Sequence, residues 1–259
     1  NNPIESAHPA VDGYKHARKN GAKIIVIDPR RTPVAEEADI HVALLPGTDA
    51  ALALGMLNVI INEELYDKDF VRDWTIGFPE LKQHVQKYTP ERMARICRVP
   101  VQTIVDAARM FAANSPSTAV MLVTAAEHHS HGVQTIRAIA CLIAICGAFD
   151  CPGGNIYVDA LTPHEPEFPP DSFKRPRLGE KEFPLYTEIV DECQPMLLLD
   201  AANQKRYPIE VLIMQGINPV VTWPNAQRVR ETLSALDLVV VMDVLMTETA
   251  EVADLVLPA

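Results

Sequence analysis

Gly21-Ala22-Lys23-Ile24-Ile25-Val26-Ile27-Asp28-Pro29-Arg30-Arg31-Thr32 is the stretch that decides the fold. Residues 23–27 form a short apolar run that reads as a β-strand, stopped at once by Asp28-Pro29. Upstream, residues 11–20 make a basic helix closed by Gly21. Downstream, 32–38 is a helix of one or two turns and 39–45 a second strand. Pro46-Gly47-Thr48-Asp49 is a turn whose Thr48 or Asp49 can cap the next helix. That helix, over 50–63, sets Leu52, Met56, Leu57 and Ile60 at helical spacing. Strand–helix–strand–helix order predicts βαβ units and a parallel sheet, hence an α/β fold.

Further along, 67–95 reads as a set of short helices, with Thr89-Pro90-Glu91 a helix start. An amphipathic helix covers 101–113, a buried strand 117–124, and a nearly all-apolar helix 133–146 ending at Gly147. Residues 150–184 are rich in proline and lack periodicity, so a long loop is expected there. Strands are expected again at 210–214, 238–242 and 255–257, with helices at 225–236 and 248–254, which makes a second βαβ-like unit.

The formal charge of −11 argues against nucleic acid as a partner, because phosphate backbones need a basic surface. It leaves room for an anionic small ligand held by backbone N–H groups and a few arginines. No apolar run is long enough to span a membrane. The chain opens on Asn1-Asn2-Pro3 and stops at Leu257-Pro258-Ala259, just inside patterned sequence, so an internal fragment of a longer protein is expected. The five cysteines (97, 141, 146, 151, 193) contain no C-x-x-C pair. Cys141 and Cys146 read as reduced core thiols, and Cys146-x4-Cys151 lacks a third and fourth ligand for a metal.

Three places put special residues just past the C-terminal end of a parallel strand, where open α/β sheets bind ligands. Asp28 can accept from a ribose hydroxyl or a guanine edge, with Arg30 and Arg31 facing phosphate; alternatively Asp28 caps the following helix and the arginines are solvated. Gln215-Gly216-Ile217-Asn218-Pro219 offers close backbone approach at Gly216 and a donor–acceptor amide at Asn218, or is a plain turn. Asp243 with Thr247-Glu248-Thr249 could cradle an anionic or sugar group, or Thr247 simply caps a helix. Glu127-His128-His129-Ser130-His131 is the densest polar cluster, but His128 and His129 point to different faces of any regular element, and no metal ligand is assigned in this chain. There is no G-x-G-x-x-G, no G-x-x-x-x-G-K-[ST] and no G-x-S-x-G.

In this order the motifs resemble the dimethyl-sulfoxide-reductase superfamily of molybdopterin oxidoreductases, which includes formate dehydrogenases and nitrate reductases. Asn1-Asn2-Pro3 with Ser6 and His8-Pro9 is similar to the family's G-x-N-P…S-H-P segment. Gly21-Ala22-Lys23 through Thr32 is similar to its G-A-K-x-I-V-I-D-P-R-x-T strand and loop, and Pro46 to Ala51 to its P-G-T-D-x-A turn. His129-x-x-Gly132-Val133 with Arg137-Ala138, then Gly147…Pro152-Gly153-Gly154, continue the match. Gly216-x-Asn218-Pro219, Thr247-Glu248-Thr249-Ala250 and 253–259 complete it. The chain departs from the pattern where the family often has T-Q-H and this sequence has Glu127-His128-His129.

The resemblance implies two open, mainly parallel-sheet, three-layer lobes, 1–139 and 140–259, the second incomplete and with an exposed apolar edge or crevice. It implies a bis(molybdopterin guanine dinucleotide) cofactor carrying molybdenum or tungsten. Asn2, Asp28, Arg30, Gly47 and Asp49 would hold one dinucleotide, and Thr124, His128, Gly216, Asn218 and Asp243 the pterin side and the other dinucleotide. Pro3, Ser6, Arg31, Thr48, His129 and Thr247 lie in the same motifs and count with them; Arg137 falls where some members place a substrate-side arginine. The metal-ligating residue and an iron–sulfur motif would precede Asn1, so this chain alone is expected to bind no cofactor and to be inactive. The whole protein is expected to act on a small molecule and to pass electrons to a partner subunit. Three other readings stand beside this one. They are a cofactor-free structural relative such as the large iron–sulfur subunit of respiratory complex I, a hydratase using the same cofactor, and an unrelated nucleotide-binding α/β module. Asp28, Asp49, Asn218 and Asp243 favour the cofactor-bearing enzyme over the first, and the ordered motif set disfavours the last.

Overall fold

A computed structural model of the chain describes residues 4, 10–116, 126, 129–156, 176–190, 196–204 and 209–259. The chain forms two compact units, Asn1–Leu161 and Thr162–Ala259.

In the first unit, α1 (Ala10–Lys19) runs through Gly21 into β1 (Ile25–Ile27). The short helix α2 (Pro33–Glu36) then returns the chain to β2 (Ile40–Val42). The two strands are parallel, with Ile25 opposite Ile40 and Ile27 opposite Val42, as the βαβ reading requires. The next helix, α3 (Asp49–Asn62), is apolar on all sides and has nine of its fourteen residues buried. A helix of that kind is stable only when surrounded. The surrounding elements are α5 (Phe78–Val85), α6 (Pro90–Cys97), α7 (Val101–Ala113) and α8 (Gly132–Ile145), with α4 (Lys68–Trp74) packed on α8. Leu52, Leu57, Ile60 and Ile61 of α3 meet Met93, Ile104 and Ile143 in one core. Short side chains on α3 allow close approach: a Cβ on Gly55 would sit 3.1 Å from Met93 Cβ.

The second unit has α9 (Pro184–Val190) and α10 (Leu197–Gln204), then β3 (Val211–Gln215), α11 (Pro219–Thr222), α12 (Ala226–Ser234) and β4 (Leu238–Asp243). A 3-10 turn, Ala250–Val252, leads to β5 (Leu255–Pro258). All three strands are parallel in the order β3-β4-β5, with Val211 opposite Leu238 and Val240 opposite Leu255. Period-two alternation sends Leu212, Met214, Val239 and Val241 inward, onto Leu199 of α10 and Val229 and Leu233 of α12. The opposite face shows Val211, Ile213, Leu238, Leu255 and Leu257 to solvent, at 51%, 63%, 38%, 48% and 41% exposure.

The expected parallel-sheet architecture is present, with differences of detail. The boundary expected after residue 139 falls inside α8, which packs whole against α3 in the first unit. Helices α9, α10 and α11 arise where the sequence pattern is loop-like or too short to show periodicity. The helix expected over 248–254 is reduced to a single 3-10 turn. The strand expected over 117–124 lies outside the described residues. No helix among the described residues is long and apolar enough to cross a membrane.

An apolar sheet face of this kind should make the 259-residue chain self-associate. Its sedimentation coefficient is expected to rise with concentration, and Ile213→Lys, at the most exposed of these apolar positions, to reduce that rise. A concentration-independent monomer would count against it.

Candidate functional site

Each unit presents loops at the C-terminal edge of its parallel strands. In the first, Asp28 follows β1 and continues its ladder, its N–H donating to the Val42 carbonyl (3.2 Å). Its carboxylate does not cap α2. That task falls to the buried Thr32, whose hydroxyl accepts from Ala35 N (3.3 Å). Asp28 instead closes a turn on its own loop: Oδ1 accepts from Arg30 N at 2.8 Å. The Asp28 carbonyl accepts from His41 Nε2 (2.8 Å), so β2 holds the loop from beside it. Arg30 and Arg31 are exposed, and Arg31 stands 4.0 Å from Glu36 in a solvated ion pair.

The turn after β2 is built on one carbonyl. Leu45 O accepts from both the Thr48 N–H (3.2 Å) and the Thr48 hydroxyl (2.6 Å), while the Leu45 N–H donates to Cys97 O (2.9 Å). Gly47 adopts φ +83°, a left-handed conformation that side-chain-bearing residues resist. With its hydroxyl spent on Leu45, Thr48 makes no side-chain cap to α3, contrary to the capping role the sequence suggests. The first-turn N–H groups of α3 therefore lack that partner. Asp49 is the first residue of the helix and is half-buried. The structure brings His129 to this turn: a Cβ built on Gly47 would lie 3.7 Å from His129 Nδ1. Arg137 is exposed on α8. Asn2, Pro3, Ser6, Thr124 and His128 lie outside the described residues.

In the second unit, Gly216 follows β3 at φ +61°, its N–H donating to Met242 O (3.0 Å), and a Cβ there would meet nothing within 4 Å. Asp243 ends β4, and its Oδ1 accepts from the N–H groups of Val244 (2.7 Å) and Leu245 (3.2 Å). The Thr247 hydroxyl accepts from Ala250 N (3.2 Å), so it caps the 3-10 turn. Asn218 turns inward: its Nδ2 donates to Glu248 Oε2 (2.9 Å) and its Oδ1 accepts from the Thr249 hydroxyl (2.6 Å). The Asn218 amide beside it holds the Glu248 carboxyl below its usual range. Thr249, Glu248 and His41 carry connections that reading the sequence did not assign. The signals for the first two were their place just past the strand-end Asp243 and in the T-E-T-A motif, neither of which pointed to Asn218 as their partner.

The two aspartates share a geometry. Each ends a parallel strand, each uses Oδ1 to close its own loop, and neither second oxygen has a partner among the described residues. A carboxylate so held offers a fixed acceptor to an N–H or O–H of a ligand. Among the described residues no group of three or more His, Cys, Asp or Glu could hold a metal ion. Cys97 and Cys146 are buried core thiols, and burial pushes the Cys146 thiol up to about 12.

The family model for molybdopterin oxidoreductases matches residues 1–259. The chain belongs to that family. It is 38% identical to acetylene hydratase of Syntrophotalea acetylenica over 94% of its length, and 33% identical to formate dehydrogenase H of Escherichia coli over 100% of it. The chain spans 37% and 38% of those two relatives. The solved structure of acetylene hydratase from Pelobacter acetylenicus matches with a TM-score of 0.75 at 36% identity, covering 96% of this chain and 38% of that one. The molybdopterin oxidoreductase fold thus accounts for both parallel sheets.

The conformation of Gly47 gives a direct test of how firmly the turn before α3 is set. Gly47→Ala should lower the melting temperature and Gly47→Val lower it further, by roughly 2–8 °C, because a left-handed side-chain-bearing residue costs about 1–2 kcal/mol. Circular dichroism melts showing no change for Gly47→Val would mean that the turn is free to relax.

Proposed function

We propose that this chain is the central cofactor-binding part of a molybdenum or tungsten oxidoreductase carrying bis(molybdopterin guanine dinucleotide). The observation that carries the reading is the paired aspartate geometry, Asp28 in one unit and Asp243 in the other. Each aspartate would accept N–H groups of a guanine edge or a ribose hydroxyl, which a carboxylate fixed by its own loop does without reorganising. Gly47, Thr48 and Asp49 would lie along the first dinucleotide, where the α3 first-turn N–H groups and Arg30 can face phosphate. Gly216 would let the second approach the backbone, since the space at its Cβ position is open. His129, beside Gly47, would face the pterin side. The donor set therefore fits the group. When bound, the cofactor supplies the metal centre at which an oxygen atom or a hydride equivalent is exchanged with a small substrate. The residues here bind and orient it.

Arg137 is proposed as a substrate-side arginine, and an iron–sulfur cluster and an electron-transfer partner belong to the whole protein. The 259-residue chain alone is proposed to be inactive, since part of a cradle holds a long dinucleotide weakly. A hydratase is the second reading, favoured by the 38% identity to acetylene hydratase. A cofactor-free structural subunit is disfavoured, because it has no use for two strand-end carboxylates each keeping one oxygen for a ligand.

The test is metal and cofactor analysis of the full-length protein as purified. Plasma mass spectrometry should find molybdenum or tungsten, and fluorescence of the oxidised pterin should give about two pterins per chain, with guanine released in equal amount on acid hydrolysis. Asp28→Ala and Asp243→Ala should each lower pterin content. Iron without pterin would sink the reading. Pterin without guanine would overturn the dinucleotide form.

A further inference from the structure

The G-x-N-P resemblance places Asn218 among the residues that touch the cofactor, and the structure assigns it different work. We propose that Asn218 is a positioning residue, clamping the Thr247–Thr249 segment against the loop after β3 so that Gly216 and Asp243 are presented at one fixed edge. The inference rests on the cofactor reading above.

Four groups form one hydrogen-bonded chain. Val220 N–H donates to Thr249 Oγ (3.2 Å), the Thr249 hydroxyl donates to Asn218 Oδ1 (2.6 Å), and Asn218 Nδ2 donates to Glu248 Oε2 (2.9 Å). Its direction is unique. A backbone N–H can only donate and a carboxylate can only accept, so the hydroxyl and the amide between them each have one permitted orientation. Thr249 is fully buried, where a broken link leaves an unsatisfied polar group at a cost. Asn218 is tied down on its own side as well, its carbonyl accepting from Val221 N, Thr222 N and the Thr222 hydroxyl at 2.9–3.1 Å.

The consequence is spatial. The Asn218 side chain joins positions thirty and thirty-one residues apart, across the ends of two neighbouring strands. Both the amide oxygen and an amide hydrogen are engaged within the protein. The segment it fixes continues directly from Asp243, through the exposed run Val244-Leu245-Met246, and Asp243 bonds the first two of those N–H groups. Moving Glu248 and Thr249 therefore moves the loop on which the Asp243 carboxylate is set.

A charge swap separates positioning from contact. Asn218→Asp sets two carboxylates against each other, and Glu248→Lys sets an ammonium against an amide N–H. The double variant satisfies the chain again: one Asp oxygen accepts from Thr249 and the other pairs with the new lysine. Thr249→Val against Thr249→Ser is the second comparison, for use if Asn218→Asp fails to fold. Two readouts are taken on the full-length protein: fluorescent oxidised pterin per chain, and amide exchange over 244–250. Each single variant and Thr249→Val should lose pterin by about tenfold in occupancy and exchange faster. The double variant and Thr249→Ser should return both to within about twofold of the original protein. If the double variant regains slow exchange but not pterin, the Asn218 amide touches the cofactor and the positioning role is overturned. If neither single variant changes exchange, there is no clamp. If the unaltered protein carries no pterin, the functional reading fails and takes the positioning role with it; only that outcome is shared by the two.

Discussion

The structure of the first unit depends on the burial of α3. Its apolar residues point in every direction, so no two-layer arrangement can satisfy it, and four other helices close around it. Burying a Leu, Ile or Met side chain contributes about 1.5–3 kcal/mol each, and α3 supplies several that are fully buried. The bidentate pair between Arg109 and Glu63, at 2.8 Å on both arms, sits on the surface, where such pairs contribute about 0–1 kcal/mol. Packing therefore decides the placement of α3, and the ion pair decorates it. The one buried polar side chain of the helix, Asn58, is satisfied by donating to Val85 O at 2.8 Å. Because the Gly47-Thr48-Asp49 turn is the first thing before α3, it inherits the rigidity of the core. That turn is attached to a helix with nine of its fourteen residues buried.

The second unit fixes its edge by different means. Its core is smaller and one sheet face is uncovered, so less packing is available to position the loops. A directional chain of hydrogen bonds through Thr249 and Asn218 takes that role. Hydrogen bonds are modest in net energy but costly to leave unmade when buried. That asymmetry suits a device whose purpose is geometry more than stability. The two units thus fix loops at their strand ends by apolar packing in one case, at the Gly47 turn, and by a polar relay in the other.

Much of this was legible in the sequence because strands and long helices announce themselves by period. The 23–27 and 238–242 runs, the apolar 50–63 helix and the Thr89-Pro90 start all appear where the pattern puts them. What was hidden falls into two kinds. Short elements such as Pro219–Thr222 contain too few residues to show a period, and α9 and α10 lie in or beside proline-rich sequence. The second kind is competition among polar groups. The sequence offers Asp28 as the cap of α2, but the helix begins at Pro33 and the cap is Thr32, so Asp28 closes its own loop instead. Thr48 likewise prefers a carbonyl three residues behind it to the N–H groups ahead. The motif order marked Asn218 as special, but a motif does not say whether its amide faces a ligand or its own protein.

Charge completes the argument about how an anionic ligand could be held. A chain with a formal charge of −11 repels a pyrophosphate at long range, and physiological salt screens that repulsion beyond about 8 Å. Affinity for such a group must then come from contacts closer than that, where donors are fixed. The exposed arginines are poor candidates to supply it alone, since Arg31 already stands beside Glu36. The uncapped first turn of α3 is better placed, because its N–H groups are held by the buried helix behind them and lose no freedom on binding. Asp49 in the same turn opposes an anion placed directly on the helix axis. An anion held by that turn would therefore meet its N–H groups from the side rather than along the helix axis.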